Sequence, residues 1–359
     1  MAINEDIPNE VVLAAVDDAA KREKDIVSTH VELCETLQRL KDECKKEIRS
    51  AIGKEKSETY EKAHERAKQR YADLASSMQH TTESLKVVSQ MRRQALAESK
   101  QLIRRLGLDP RKIKKIQKKY IVEAESAVER ALQTREEAPY VDLSPADAPT
   151  LSHNPWAWRS PPYSGQWGTQ WSYGTRGSRW VSHSENRLTG GINCWSSMSI
   201  YGADDSDYTY TKAYSELQFW FKMPAAGMVE VWLYLQAVDA RYGGCLSDEW
   251  GWSDAYIRQS SRSYLWALSP FDNIPRYGTL LDYRRGESSG CWNGTMADVG
   301  RYRYAHVFSR NTYAAGQWVK FGVGIHDYNY FWVNDMSCYT YITSRWFLKN
   351  VAVRSTGAP

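Results

Sequence analysis

"YTYTKAYSELQFWFKMP", residues 208–224, opens in alternation and closes in a continuous apolar run. A period of two places successive side chains on opposite faces, so the stretch reads as a β-strand, rich in the aromatic residues that strands favour. "PAAG" (224–227) then leads into "MVEVWLYLQAVDA" (228–240), which suggests a hairpin. "QWVKFGVGIHDYNYFWVN" (317–334) and "RWFLKNVAVRS" (345–355) repeat the pattern between glycine-bearing turns. Helical periodicity does not return beyond residue 156. The reading is an antiparallel β-sandwich head of jelly-roll type over 156–359.

The chain before it is of another kind. Between Pro8 and Pro110 there is no proline, and Gly53 and Gly107 are the only glycines. Tyr60, Ala67, Leu74, Thr81, Val88, Ala95 and Leu102 recur every seven residues, and a second series offset by four runs from His64 to Leu106. Together they form a heptad seam. Ile26, Leu33, Leu37, Leu40, Cys44 and Ile48 make an earlier stripe, and Ile113, Ile116, Tyr120, Ala124, Ala127 and Ala131 a later one. Gly107 suits a helix C-cap, Asp109 an N-cap and Pro110 the first helical position. The expected class is α+β with two segregated domains. A long-helix hairpin or coiled-coil stalk fills 1–138, and a linker with Pro139, Pro145 and Pro149 fills 139–155 before the head. Narrow stripes on charged helices need a partner, which makes a homo-oligomer the expected state.

The totals narrow the function. A net charge of +4 over 359 residues gives no case for specific nucleic-acid binding. No apolar run is long enough for a transmembrane segment, and "MAINEDIPNE" has no signal-peptide core, so synthesis in the cytosol is expected, with the working location unassigned and surface or extracellular use open only by an unconventional route. Cys34, Cys44, Cys194, Cys245, Cys291 and Cys338 include no CxxC. They read as free buried thiols, or the last four as two disulfides.

All fifteen tryptophans lie at or beyond Trp156. Trp220, Trp232, Trp266, Trp318, Trp332 and Trp346 sit in apolar or alternating runs and read as packing residues. Trp156, Trp158, Trp167, Trp171 and Trp180 are set among Gly, Ser, Pro, Gln and Arg, as are Trp250 and Trp252 in "CLSDEWGWSDAY". These seven read as loop aromatics for subunit contact, for a strap on their own domain, or for stacking on sugar rings. Asp248, Glu249 and Asp254 would hydrogen-bond the sugar hydroxyls. Asp204, Asp205 and Asp207 form an acidic loop, a candidate for calcium in a chain that otherwise suggests no cofactor. Arg104, Arg105, Arg111, Lys112, Lys114, Lys115, Lys118 and Lys119 make a basic patch, read as a solvated helix face or an acidic partner's site. His326 and Asp327 are adjacent on a strand and face opposite ways, so they make no dyad. No hydrolase or phosphate-loop motif occurs. The expectation is a non-enzymatic, self-assembling structural or adhesive protein. A multivalent glycan-binding module and a membrane-active toxin are the alternatives.

Overall fold

The computed structural model describes residues 7–60 and 100–133, a few positions between them, and 156–357 apart from 176, 201–206, 249–253, 270–275, 287–289, 310 and 335. Most of the 60–106 heptad seam and the proline linker lie outside the described residues.

Helix α1 is Asn9–Ile52, and α2 is Pro110–Gln133. Gly53 ends α1 at φ 88°, so this glycine breaks the helix rather than being absorbed by it. Gly107, at φ 60°, closes the turn before α2. Its N–H donates to Arg104 O and that of Leu108 to Ile103 O, the paired reverse bonds of a left-handed C-cap. Asp109 Oδ1 then accepts from Arg111 N at 3.0 Å. The two helices run antiparallel, since Lys112 reaches Ala51 O while Lys119 and Tyr120 reach Glu47.

Twelve strands follow among the described residues, every pairing antiparallel. They are β1 Ala157–Arg159, β2 Gly165–Gly174, β3 Ser178–Asn186, β4 Gly191–Ile200, β5 Asp207–Lys222, β6 Gly227–Asp248, β7 Asp254–Ser269, β8 Arg276–Arg285, β9 Gly290–Ala297, β10 Tyr302–Phe308, β11 Trp318–Asn334 and β12 Met336–Gly357. One sheet runs β10-β6-β12-β4-β3, with β1 on β12 and β9 on β6. The other runs β2-β5-β11-β7-β8. Leu217, Phe219, Val323 and Ile325 of the five-stranded sheet share one core with Val231, Leu233, Ile342 and Trp346 of the seven-stranded sheet.

Several expectations change. "PAAG" is not a hairpin turn: β5 and β6 belong to different sheets, so the chain crosses between layers there. Nor are the helices set apart as a stalk. Leu33, Leu37, Ile113, Ile116 and Ala124 are buried in one cluster with Tyr208, Tyr210, Tyr256, Tyr328, Tyr330 and Trp332. The outer face of the five-stranded sheet is more aromatic than its largely aliphatic inner face, and the helical stripes cover it. One disulfide forms, Cys245–Cys291, between residues directly opposite on β6 and β9. Cys34, Cys44, Cys194 and Cys338 are free thiols, so neither expected pattern of six cysteines holds.

Candidate functional site

The two outer faces differ in cover. Over the five-stranded sheet, α1 is clamped by ionic contacts. Arg22 Nη1 donates to Glu216 Oε1 at 3.0 Å and Oε2 at 2.8 Å, with both side chains almost fully buried. The guanidinium lies 3.9 Å from the Trp167 ring centroid and 5.0 Å from that of Trp266. Gln218 Nε2 and Tyr264 Oη also donate to the Glu216 carboxylate. Gly322, on the neighbouring strand, leaves the space that this carboxylate occupies. Further along α1, Lys41 Nζ donates to Asp207 Oδ1 at 2.7 Å, and on α2 Glu129 pairs with Arg258.

Beside α1, Tyr210 Oη stands 2.6 Å from His30 Nδ1 and 3.0 Å from Cys34 Sγ. Burial, with help from Lys212, pushes His30 down to about 4, and burial pushes the Cys34 thiol up. At neutral pH this trio holds an uncharged imidazole and a protonated thiol, a poor arrangement for nucleophilic chemistry.

No helix crosses the outer face of the seven-stranded sheet among the described residues. Register assembles that face from alternate residues of five strands. Trp180, Ser197, Tyr341, Gly243 and Asn293 form one row across β3, β4, β12, β6 and β9. Ser182, Trp195, Thr343, Arg241 and Thr295 form the next, and Ser178, Ser199, Tyr339, Cys245 and Cys291 flank the first on its other side. Trp180 is 55% exposed and Tyr339 42%, while Trp195 and Tyr341 are half-buried. The side chains between these positions, Cys194, Met198, Ile342 and Cys338, point into the core. Gly243 has a specific task here: a Cβ on it would come within 2.9 Å of the Tyr341 ring. Its absence lets that ring lie down over β6.

Rings on alternate rows of adjacent strands stand about 7–8 Å apart, and hydroxyl and amide groups fill the positions between them. The result is a shallow platform on which a flat, partly apolar ligand meets rings and hydrogen-bonding groups together. Arg345, one row beyond Thr343, is exposed beside Asp239, whose carboxylate Arg241 holds bidentately at 2.6 and 2.8 Å. A second aromatic group lies toward the other end of β12, about 35 Å away at about 3.3 Å per residue. There Trp158 is 53% exposed with its ring 5.5 Å from Tyr234. The Arg354 guanidinium, held by Glu230, lies 4.4 Å from the ring of Trp156.

The sequence-level candidates therefore scatter. Trp156 and Trp158 lie at one end of the open face and Trp180 at the other. Trp167 and Trp171 belong to β2 in the opposite sheet, against Arg22 and His30 of α1. The five do not form one loop strap, because four of them lie within paired strands. Trp250, Trp252 and Glu249, with the side chains of Asp248 and Asp254, lie outside the described residues. So do Asp204 and Asp205. Asp207 is fully buried and its carboxylate is engaged by Lys41 and Thr175. In the basic patch, Arg104, Arg105, Arg111, Lys112, Lys115, Lys118 and Lys119 are exposed and Lys114 is half-buried. Among the packing tryptophans, Trp232, Trp266, Trp332 and Trp346 are buried. Trp220 and Trp318 are only half-buried, at the end of the sheet where Lys320 and Lys222 lie over their rings. Trp195, Tyr339 and Tyr341 were missed. Their signal was the alternation in "NCWSSMS" and "CYTYITS", which marks an outward row of rings and hydroxyls.

No family model matches the chain, and no curated protein matches it. Among solved structures, similarity extends to the carbohydrate-binding module TmCBM61 in complex with β-1,4-galactotriose, at 10% identity over 45% of this chain and 86% of that one, with a TM-score of 0.13. The enzymatically active domain of tailspike protein 4 from bacteriophage CBA120 is 9% identical over 52% of this chain and 18% of that one, TM-score 0.12. A chain of the infectious bursal disease virus Gx strain is 8% identical over 62% and 48%, TM-score 0.12. None reaches a TM-score of 0.5, and the site stands on its own residues.

Proposed function

We propose that the protein is a non-enzymatic adhesive module whose β-sandwich head binds glycan across the open face of its seven-stranded sheet. One observation carries this reading. Trp180, Trp195, Tyr339 and Tyr341 stand in register with serines, threonines and asparagines on a sheet face that no described helix covers. Pyranose rings present an apolar face to an indole or phenol and hydroxyl edges to neighbouring polar groups, which is the chemistry this platform offers. A sheet face that no described helix covers favours binding an extended chain over enclosing a reacting bond.

The test is retention of the full chain on a panel of polysaccharides, with the glycans analysed afterwards. Wild-type protein should be retained by at least one of them, and Trp180→Ala and Tyr341→Ala should each weaken retention at least tenfold. That loss corresponds to about 1.4 kcal/mol per ring. The recovered glycan should keep its chain length. Equal retention of both variants, no retention of the parent, or shortened glycan would overturn the reading.

A further inference from the structure

The N-terminal half of α1 bears a second surface that the glycan reading does not use. Among the described residues, twelve large apolar side chains are exposed, and five of them fall between residues 12 and 31 of this helix. Leu13 is 66% exposed, Val16 63%, Val31 45%, Val12 41% and Val27 40%. Leu13, Ala20 and Val27 are spaced by seven, and Val16 stands three residues after Leu13, the a and d spacing of a coiled-coil seam. The opposite side of the same helix, with Ala15, Arg22, Ile26 and Leu33, is buried on the protein itself. The exposed stripe is thus additional to the one that holds α1 to the sheet. It continues into a groove of about 740 Å³ lined by Val31, Cys34, Gln38 and Tyr173.

We infer that this stripe pairs with the same stripe of a second copy, antiparallel, about a two-fold axis near residues 21 and 22. The occupant follows from the stripe's own symmetry. Turned end for end, it sets Leu13 against the Val31 region and Val16 against Val27, so apolar residues meet at both ends. The flanks agree in charge: Asp17 and Lys24 share one edge one heptad apart, and the two-fold brings Asp17 of each copy to Lys24 of the other. Parallel pairing would set the edge with Asp17 and Lys24 against the opposite edge of the other copy, which carries Val12 and Ala19, and would form neither ion pair. A self-complementary patch of this kind gives a closed dimer and not an open filament. The seam spans about 28 Å at 1.5 Å per residue, and Glu23 interrupts its centre. Both features fit a dimer that forms and dissociates with concentration. The arrangement gives each particle two open faces, so a weak single site gains by multivalency.

The experiment is sedimentation velocity of the full chain across a hundredfold range of concentration. The wild type should shift from monomer to dimer mass, and Val16→Glu and Val27→Glu should each stay monomeric throughout. These are exposed positions, and unchanged melting temperatures would show that the fold is intact. Orientation is read by oxidising cysteine variants. Val16→Cys combined with Val27→Cys should form a covalent dimer readily, whereas either variant alone should not. A wild type monomeric at every concentration, a mass unaltered by both glutamates, or efficient cross-linking of Val16→Cys alone would overturn the inference. None of these outcomes depends on glycan retention, so the two readings fail separately.

Discussion

Arg22 is the residue on which the seating of α1 turns. A guanidinium removed from water needs both an anion and hydrogen-bond acceptors, and Glu216 gives it both, between the rings of Trp167 and Trp266. Replacing the pair with apolar groups of similar volume would cost little. Removing one partner would leave the other charged and buried. Arg22→Met and Glu216→Gln should therefore each lower stability by about 3–5 kcal/mol in urea unfolding, and the double variant should lose much less than their sum. Single losses below about 1 kcal/mol would mean that α1 does not rest on this sheet. Neither residue draws notice in the sequence. An arginine in a charged helix and a glutamate in an alternating strand are ordinary until 194 residues of separation are closed.

At the scale of the element, β11 is central to the five-stranded sheet. It pairs with β5 on one side and β7 on the other, and its alternate residues serve two different neighbours. Val319, Phe321, Val323 and Ile325 face the other sheet, while His326, Tyr328, Tyr330 and Trp332 face the helices or the rings beneath them. Gly322 belongs to the helix-facing set and gives up its side chain to the Glu216 carboxylate. Gly322→Ala should cost about 1–3 kcal/mol, because a methyl group there displaces a buried ion pair that has no room to move. An unchanged melting temperature would show that Glu216 is not seated over β11. The strand itself is plain from "KFGVGIHDYNYFWV". That both its faces are buried is not, since alternation of aromatic and aliphatic residues leaves open which face meets water.

At the scale of the whole molecule, a buried carboxyl and a half-buried imidazole act in opposite directions. Asp327, between the sheets, accepts from Ser344 Oγ at 2.9 Å, and burial pushes it up to about 7. Its raised value favours the protonated acid in the folded state, so its contribution is full below about pH 4 and is lost as pH rises to about 7. The loss is roughly 4 kcal/mol at most. His30, between helix and sheet, is pushed down to about 4, so its contribution is present above about pH 6.5 and is lost as pH falls toward 4. From pH 4 to 6.5 the two slopes offset one another, and above that range only the fall due to Asp327 continues. Asp327→Asn should remove the loss of melting temperature between pH 6 and 8, and His30→Gln, which leaves the Asp327 slope unopposed, should make the melting temperature rise on acidification from pH 6.5 to 4. If Asp327→Asn kept the wild-type profile above pH 6, the carboxyl would not be held in the core as described.

Local chemistry was legible in the sequence. The strands at 208–222, 228–240, 317–334 and 345–355, the end of a helix at Gly107 with the start of the next at Pro110, and the inward stripes of α1 and α2 follow from period, capping residues and apolar spacing, whereas the strands around Trp158, Trp167, Trp171 and Trp180 read as loops. What tertiary structure decided was partnership. Which sheet each strand joins, which outer face the helices cover, which cysteines lie opposite, and why Trp167 is packed while Trp180 is exposed depend on register between distant segments. A period of two says that a strand has two faces. It does not say what lies across either one, because that depends on contacts the local sequence does not encode.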